Sequence, residues 1–186
     1  MVTQIGVNYY KISKGVEEPI RATSNSACYD IKACFHTDKV HAMDTSNNVS
    51  KEQVKDTTNY NKSAQASPSV YQYRFVDILP GWRYLIPTGI IFDIPDDYSI
   101  RIHPRSGLAW KNGIIVANCE GIIDSDYYHE TFIMLYNISE KPFTVWNFDR
   151  IAQIEFHTDT YMALREVDTP PEQKTDREGG FGHTGV

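Results

Sequence analysis

The chain has 186 residues, 41% hydrophobic and 23% charged, the composition of one globular domain of ordinary size. A formal net charge of −6 argues against a nucleic-acid footprint, which needs a basic stripe. No apolar run approaches the roughly 20 residues of a membrane span. Met1 to Lys11 lacks a basic start followed by an apolar stretch, so the sequence predicts a soluble cytoplasmic protein, in the host cytoplasm if viral. Cys28, Cys34 and Cys119 are an odd number without CxxC spacing, which suits a reducing compartment and packing roles better than a disulfide scaffold or a zinc site.

In chain order, residues 37–70 are rich in Ser, Thr, Asn, Asp and Lys and read as a long surface insertion, too polar to build a core alone. Short apolar-alternating runs then follow, broken by turn residues: Tyr73 to Leu79, Arg83 to Ile86, Ile90 to Ile94, Ser99 to His103, Ile114 to Asn118, Thr131 to Tyr136, Phe143 to Trp146 and Ile151 to His157. Turn signals about every 8–12 residues, with Ile, Val, Tyr and Phe prominent, predict an all-β sandwich or barrel. Only Gly107 to Gly113 and part of 50–65 have room for a helical turn or two. From Pro170 the chain is polar, so the reading divides it into a β domain over 1–169 and an arm over 170–186 that ends in GGFGHTGV.

Four segments carry polar groups suited to chemistry. Arg105, Ser106 and Gly107 follow a strand, where backbone N–H groups and a guanidinium can meet phosphate oxygens. In GIIDSDY (121–127), apolar Ile122 and Ile123 lead into Asp124, and a carboxylate against an apolar wall can serve as general base toward water. An equally simple reading is a turn at a hairpin tip. Asp149, Arg150 and Gln153 open a strand, as ordinary salt bridges also do. The terminal glycine-rich stretch could cradle phosphate, with Phe181 stacking on a base, although it lacks the GK[ST] ending of a P-loop.

Taken in order, SACYDIKA (26–33), PRSGLA (104–109), GIIDSDY (121–127), DRIAQ (149–153) and REGGFGHTG (177–185) closely resemble the five motifs of the trimeric dUTP pyrophosphatase family. LIPTGI (85–90) and KNGI (111–114) resemble the intervening text, and only 37–72 has no counterpart. The resemblance implies a distorted jelly-roll, β-barrel-like single domain of the β-clip type with a flexible C-terminal arm. It also implies hydrolysis of dUTP to dUMP and pyrophosphate, which limits uracil in DNA and supplies dUMP for dTMP synthesis.

By the same resemblance, Asp124 activates the water that attacks the α-phosphorus. Tyr127 packs on the deoxyribose and excludes a 2′-hydroxyl. Asn118 reads the uracil edge, with backbone groups near Gly121, Ile122, Ile123 and Phe132. Arg105, Ser106, Gly107 and Gln153 hold phosphate, and Asp30 touches the hydration shell of Mg2+. Arg177, Phe181, Gly182, His183 and Thr184 belong to the arm that closes over the nucleotide. The family members are homotrimers with sites shared between subunits.

Three family glycines are replaced, by Cys28, His129 and Phe148, and each replacement is strained if its position needs positive φ. The fifth motif is one residue short, which puts Asp176 at the usual spacing of Arg from Phe181. The 37–72 insertion is either a tolerated loop or a docking element for a regulatory protein. dCTP deaminase, which shares the fold, and a binding protein without catalysis are the competing readings.

Overall fold

The computed structural model describes residues 5–56 and 73–176. Alternating burial along short β-branched and aromatic runs sets its strands. The first half contains β1 (Asn8–Lys11), β2 (Tyr29–Lys32), β3 (Lys39–Met43), β4 (Val49–Gln53), β5 (Lys55–Asp56), β6 (Arg74–Ile78), β7 (Arg83–Pro87) and β8 (Ile90–Asp93). The second half contains β9 (Tyr98–His103), α1 (Ser106–Asn112), β10 (Ile114–Val116), β11 (Gly121–Ile123), β12 (Phe132–Asn137), β13 (Phe143–Trp146) and β14 (Arg150–Thr158). In β6 the pattern is buried at Arg74, Val76 and Ile78 and more exposed between them, the period of a strand with one face on a core.

Four sheets result, in the orders β1-β8, β10-β12-β7-β3-β4, β11-β9-β14-β2 and β13-β6-β5, with every named pair antiparallel. Their inner faces share one core, in which Ile31, Ile86, Ile100, Ile133, Leu135, Val145 and Ile154 are fully enclosed. This is the predicted all-β domain, a distorted jelly roll. The one helix among the described residues falls where a helical turn was expected, and Gly113 ends it in the left-handed conformation at φ 65°.

Of the segment expected as a surface insertion over 37–70, residues 57–70 lie outside the described residues, and the described part adds a hairpin to a sheet. Residues 39–53 form a β-hairpin whose first strand pairs with β7, and Val40, Ala42 and Val54 join the core. One apolar residue in two sufficed, because β7 and the domain core supply the other side of the packing. Of the 50–65 stretch given room for a helical turn, 50–53 and 55–56 are strand, and 57–65 lie outside the described residues. Arg74 ties down the base of this excursion, donating to the Phe35 carbonyl at 2.5 Å and to Asp38 at 2.6 Å.

The segment 121–132 also differs from a hairpin. β11 pairs with β9 while β12 pairs with β7 and β10, so residues 124–131 cross from one sheet to another. Beyond Thr158 the described chain has no further strand or helix, and residues 160–176 are exposed. Among the described residues no helix is long and apolar enough to cross a membrane. All three cysteines are free thiols.

Candidate active site

The strand registers bring three distant motifs together. Gln153 on β14 lies opposite Asp30 on β2 and opposite His103 on β9. Directly opposed residues share a face, so this row puts Asp30 and Gln153 beside the end of β9, from which Arg105 follows. Asp30 is buried at 9% exposure and is held at both carboxylate oxygens. Arg105 Nε donates to Oδ1 at 3.0 Å and Arg150 Nη1 donates to Oδ2 at 3.0 Å.

A second layer fixes these groups. Arg105 Nη1 donates to the Arg150 carbonyl at 2.8 Å, and Gln153 Nε2 donates to the Pro104 carbonyl at 2.9 Å. Asp149 accepts from the Trp146 N–H at 2.8 Å. Burial pushes its carboxyl above the usual range, partly offset by that N–H and by the Arg105 charge. Ser106 and Gly107 open α1 on the surface, and a Cβ at Gly107 would meet nothing within 4 Å. The backbone there is open to a ligand.

The second group of residues forms a recess of about 280 Å³ lined by Leu85, Ile102, Asn118, Ile122, Ile123, Tyr127, Thr131 and Phe132. It lies at the small end of the roughly 300–1,000 Å³ typical of ligand pockets, a size for a base more than for a whole nucleotide. Five of these residues were expected from sequence. Gly121 lets Asn118 come close, since a Cβ there would lie 2.9 Å from Asn118 Nδ2 and displace that amide. Asp124 follows Ile123 directly and is exposed. It is the first residue of a turn closed by Tyr127 N–H to its carbonyl at 3.1 Å, so 124–127 is a turn, though not the tip of a hairpin.

Tyr127 is braced on two sides. Its hydroxyl donates to the Glu130 carbonyl at 3.0 Å, and its ring meets the His129 ring edge-on at 5.6 Å. Leu85, Ile102 and Thr131 were missed as lining residues, as was Arg150 as a partner of Asp30. LIPTGI and DRIAQ marked two of these neighbourhoods, but strand alternation alone cannot say which side chain faces a ligand. Arg177, Phe181, Gly182, His183 and Thr184 lie outside the described residues. Among the described residues no hydrogen bond joins the Asp30 group to the Tyr127 recess.

An all-β jelly roll with a recessed base-sized pocket and a separate Arg-lined carboxylate defines a nucleotide-binding β-clip domain. The dUTPase family model matches residues 53–185, and the chain belongs to that family. The first motif, at 26–33, lies N-terminal to that match. The chain is 44% identical over 109 residues to a deoxyuridine 5′-triphosphate nucleotidohydrolase of Rhizobium johnstonii, covering 59% of this chain and 69% of the relative. It is 45% identical over 116 residues to that of Finegoldia magna, covering 62% and 80%.

Solved structures share the fold. A variant of the Staphylococcus bacteriophage 80alpha dUTPase with dUpNHpp superposes at TM-score 0.66 and 18% identity, over 98% of this chain and 100% of that one. The Streptococcus mutans dUTPase gives 0.58 and 19%, over 84% and 98%.

Proposed function

We propose that the protein hydrolyses dUTP to dUMP and pyrophosphate. The observation that carries this reading is the recess of Asn118, Ile122, Ile123, Tyr127 and Phe132, with Asp124 directly following its wall. A base seated there with its edge on Asn118 and the backbone leaves polar groups unpaired when cytosine replaces uracil, which can cost about 10⁴-fold or more. Tyr127 stands where the sugar would lie and leaves no room for a 2′-hydroxyl. Asp124 takes a proton from the attacking water at the α-phosphorus, and Arg105, Ser106, Gly107 and Gln153 hold the phosphates.

Magnesium fits this donor set. Among the described residues no three His, Cys, Asp or Glu side chains cluster to hold a bare ion, and each Asp30 oxygen already accepts from an arginine. Such a carboxylate suits contact through water, with the triphosphate supplying inner ligands. When bound, the ion would offset phosphate charge. A solved dUTPase of phage phi11 of S. aureus is described with a structural Mg(II) ion.

Membership of the family suits a homotrimer whose sites combine subunits, the terminal arm of residues 170–186 with Arg177, Phe181, Gly182, His183 and Thr184 closing over the nucleotide. Closure excludes water and aligns the reacting atoms.

The test is pyrophosphate release from dUTP, dTTP, dCTP and UTP with magnesium, for the parent and Asp124→Asn. Preference for dUTP, lost in the variant, supports the reading. Equal turnover of the four nucleotides, or none, overturns it. Ammonia released from dCTP would identify a deaminase instead.

A regulatory partner at the 37–72 excursion is a second reading. A dUTPase of phage 80alpha is described as controlling transfer of virulence genes, and β4 forms the open edge of its sheet here. Exchange of the exposed Lys51 and Gln53 should abolish such binding without loss of turnover, whereas binding that survives the exchange excludes this edge.

A further inference from the structure

His36 stands at the root of the excursion, between the buried Phe35 and the Arg74-bound Asp38. Its ring reaches across to the substrate segment, with Nε2 at 2.9 Å and 3.0 Å from the two oxygens of Glu130. A carboxylate only accepts, so Nε2 carries the hydrogen. Both side chains are nearly enclosed, at 14% and 12% exposure. Glu130 Oε1 also accepts the Gly89 N–H at 2.7 Å, from the turn between β7 and β8.

Glu130 is therefore fixed at both ends. Its carboxylate is held by His36 and Gly89, and its carbonyl receives the Tyr127 hydroxyl at 3.0 Å. The next residue is fixed as well. Thr131 N–H donates to the Ile90 carbonyl at 2.8 Å, and Thr88 Oγ1 donates to the Thr131 carbonyl at 2.7 Å. Among the described residues, the Glu130 carbonyl is the hydrogen-bond partner of the tyrosine hydroxyl, and His36 is the residue of the excursion that bonds Glu130.

We propose that His36 is a positioning residue for sugar discrimination: through Glu130 it holds the Tyr127 ring at the wall of the recess. The inference rests on the assignment of Tyr127 to the deoxyribose. His36 touches no substrate. Without it the Glu130 carboxylate keeps the Gly89 N–H as its remaining partner, the residue under the Tyr127 hydroxyl is held less firmly, and the ring defines a softer edge against a 2′-hydroxyl. The insertion root and the sugar-reading residue then form one mechanical unit, in the order Arg74, Phe35, His36, Glu130, Tyr127.

The experiment measures calorimetric binding of dUMP and UMP with magnesium to the parent, His36→Ala and His36→Gln, beside dUTP turnover and thermal midpoint. A Gln amide nitrogen reaches about where Nε2 sits. The preference for dUMP over UMP should fall about tenfold in His36→Ala, the order expected when a packed group is misplaced by a fraction of an ångström to an ångström. It should return in His36→Gln. KM for dUTP should rise more than kcat falls. Should His36→Ala fail to fold, His36→Asn replaces it, because its shorter amide cannot reach Glu130. A parent-like preference in Ala or Asn overturns the positioning role alone. A parent that binds neither nucleotide, or binds both equally, overturns the sugar assignment and this inference with it.

Discussion

Arg150 and Asp30 are 120 positions apart in the chain, and their side chains meet at 3.0 Å on a carboxylate that also receives Arg105. Asp30 is the shared anchor of two guanidinium groups aimed at the same surface. Its removal leaves two cations facing each other without a counter-charge. Asp30→Ala should destabilise the fold by about 1.5–3 kcal/mol, the range for hydrogen bonds to charged groups. Arg150→Ala should cost less, about 1 kcal/mol or below, because its side chain is 45% exposed. Urea unfolding of the two variants checks the order. Asp30→Ala should also weaken dUTP turnover, since Arg105 Nε loses its acceptor, whereas Arg150→Ala keeps the backbone carbonyl that Arg105 Nη1 meets.

Of the three bulky residues at family glycine positions, only Phe148 has positive φ, at 69°. Phe148→Gly should therefore stabilise the protein by about 0.5–1 kcal/mol, the left-handed penalty less some lost packing. Cys28→Gly and His129→Gly relieve no such strain and should be neutral or cost about 0.5–1 kcal/mol. Thermal midpoints of the three variants distinguish a backbone effect from a general preference for glycine.

The buried carboxyl of Asp149 holds its proton more tightly in the folded state than in the unfolded chain. Between the unfolded value of 3.8 and the raised folded value the native state binds more protons, so this group costs stability as pH rises through that window. Asp149→Asn removes the cost, and its amide oxygen can still accept the Trp146 N–H. The variant should match or exceed the parent in stability at neutral pH and lose that advantage below about pH 4. Chemical unfolding at several pH values checks the crossover.

Thiol reactivity should rank the cysteines. Cys119 is exposed, burial pushes the Cys28 thiol up, and burial pushes the enclosed Cys34 thiol up to about 11. At pH 8 an alkylating reagent should modify Cys119 first, Cys28 more slowly, and Cys34 only after unfolding. Mass spectrometry of a time course reads this directly.

Strand identity was legible where alternation was strict, as over Arg74–Ile78, because a half-buried strand must alternate. β3 and β4 were not legible. Their apolar residues are few, and their burial depends on β7, a partner that no local pattern names. Five of the residues that line the recess were readable only through the family text around GIIDSDY. Its geometry was not, since Asp124 sits in a turn and the segment crosses between sheets. The Asp30–Arg150 contact was invisible for the same reason as β3: a register between distant strands created it.

β5 and β6 sit side by side, Asp56 facing Arg74 and Lys55 facing Phe75. Chain leaving at Asp56 and returning at Tyr73 thus starts and finishes about 5 Å apart, the span of one antiparallel pair. Closing a loop between such posts becomes only slowly more unfavourable with length, by about 0.6 kcal/mol per doubling. The protein consequently carries a natural socket: a reporter domain or an affinity tag spliced between those two posts would ride on the scaffold without prying apart any strand of its main sheets.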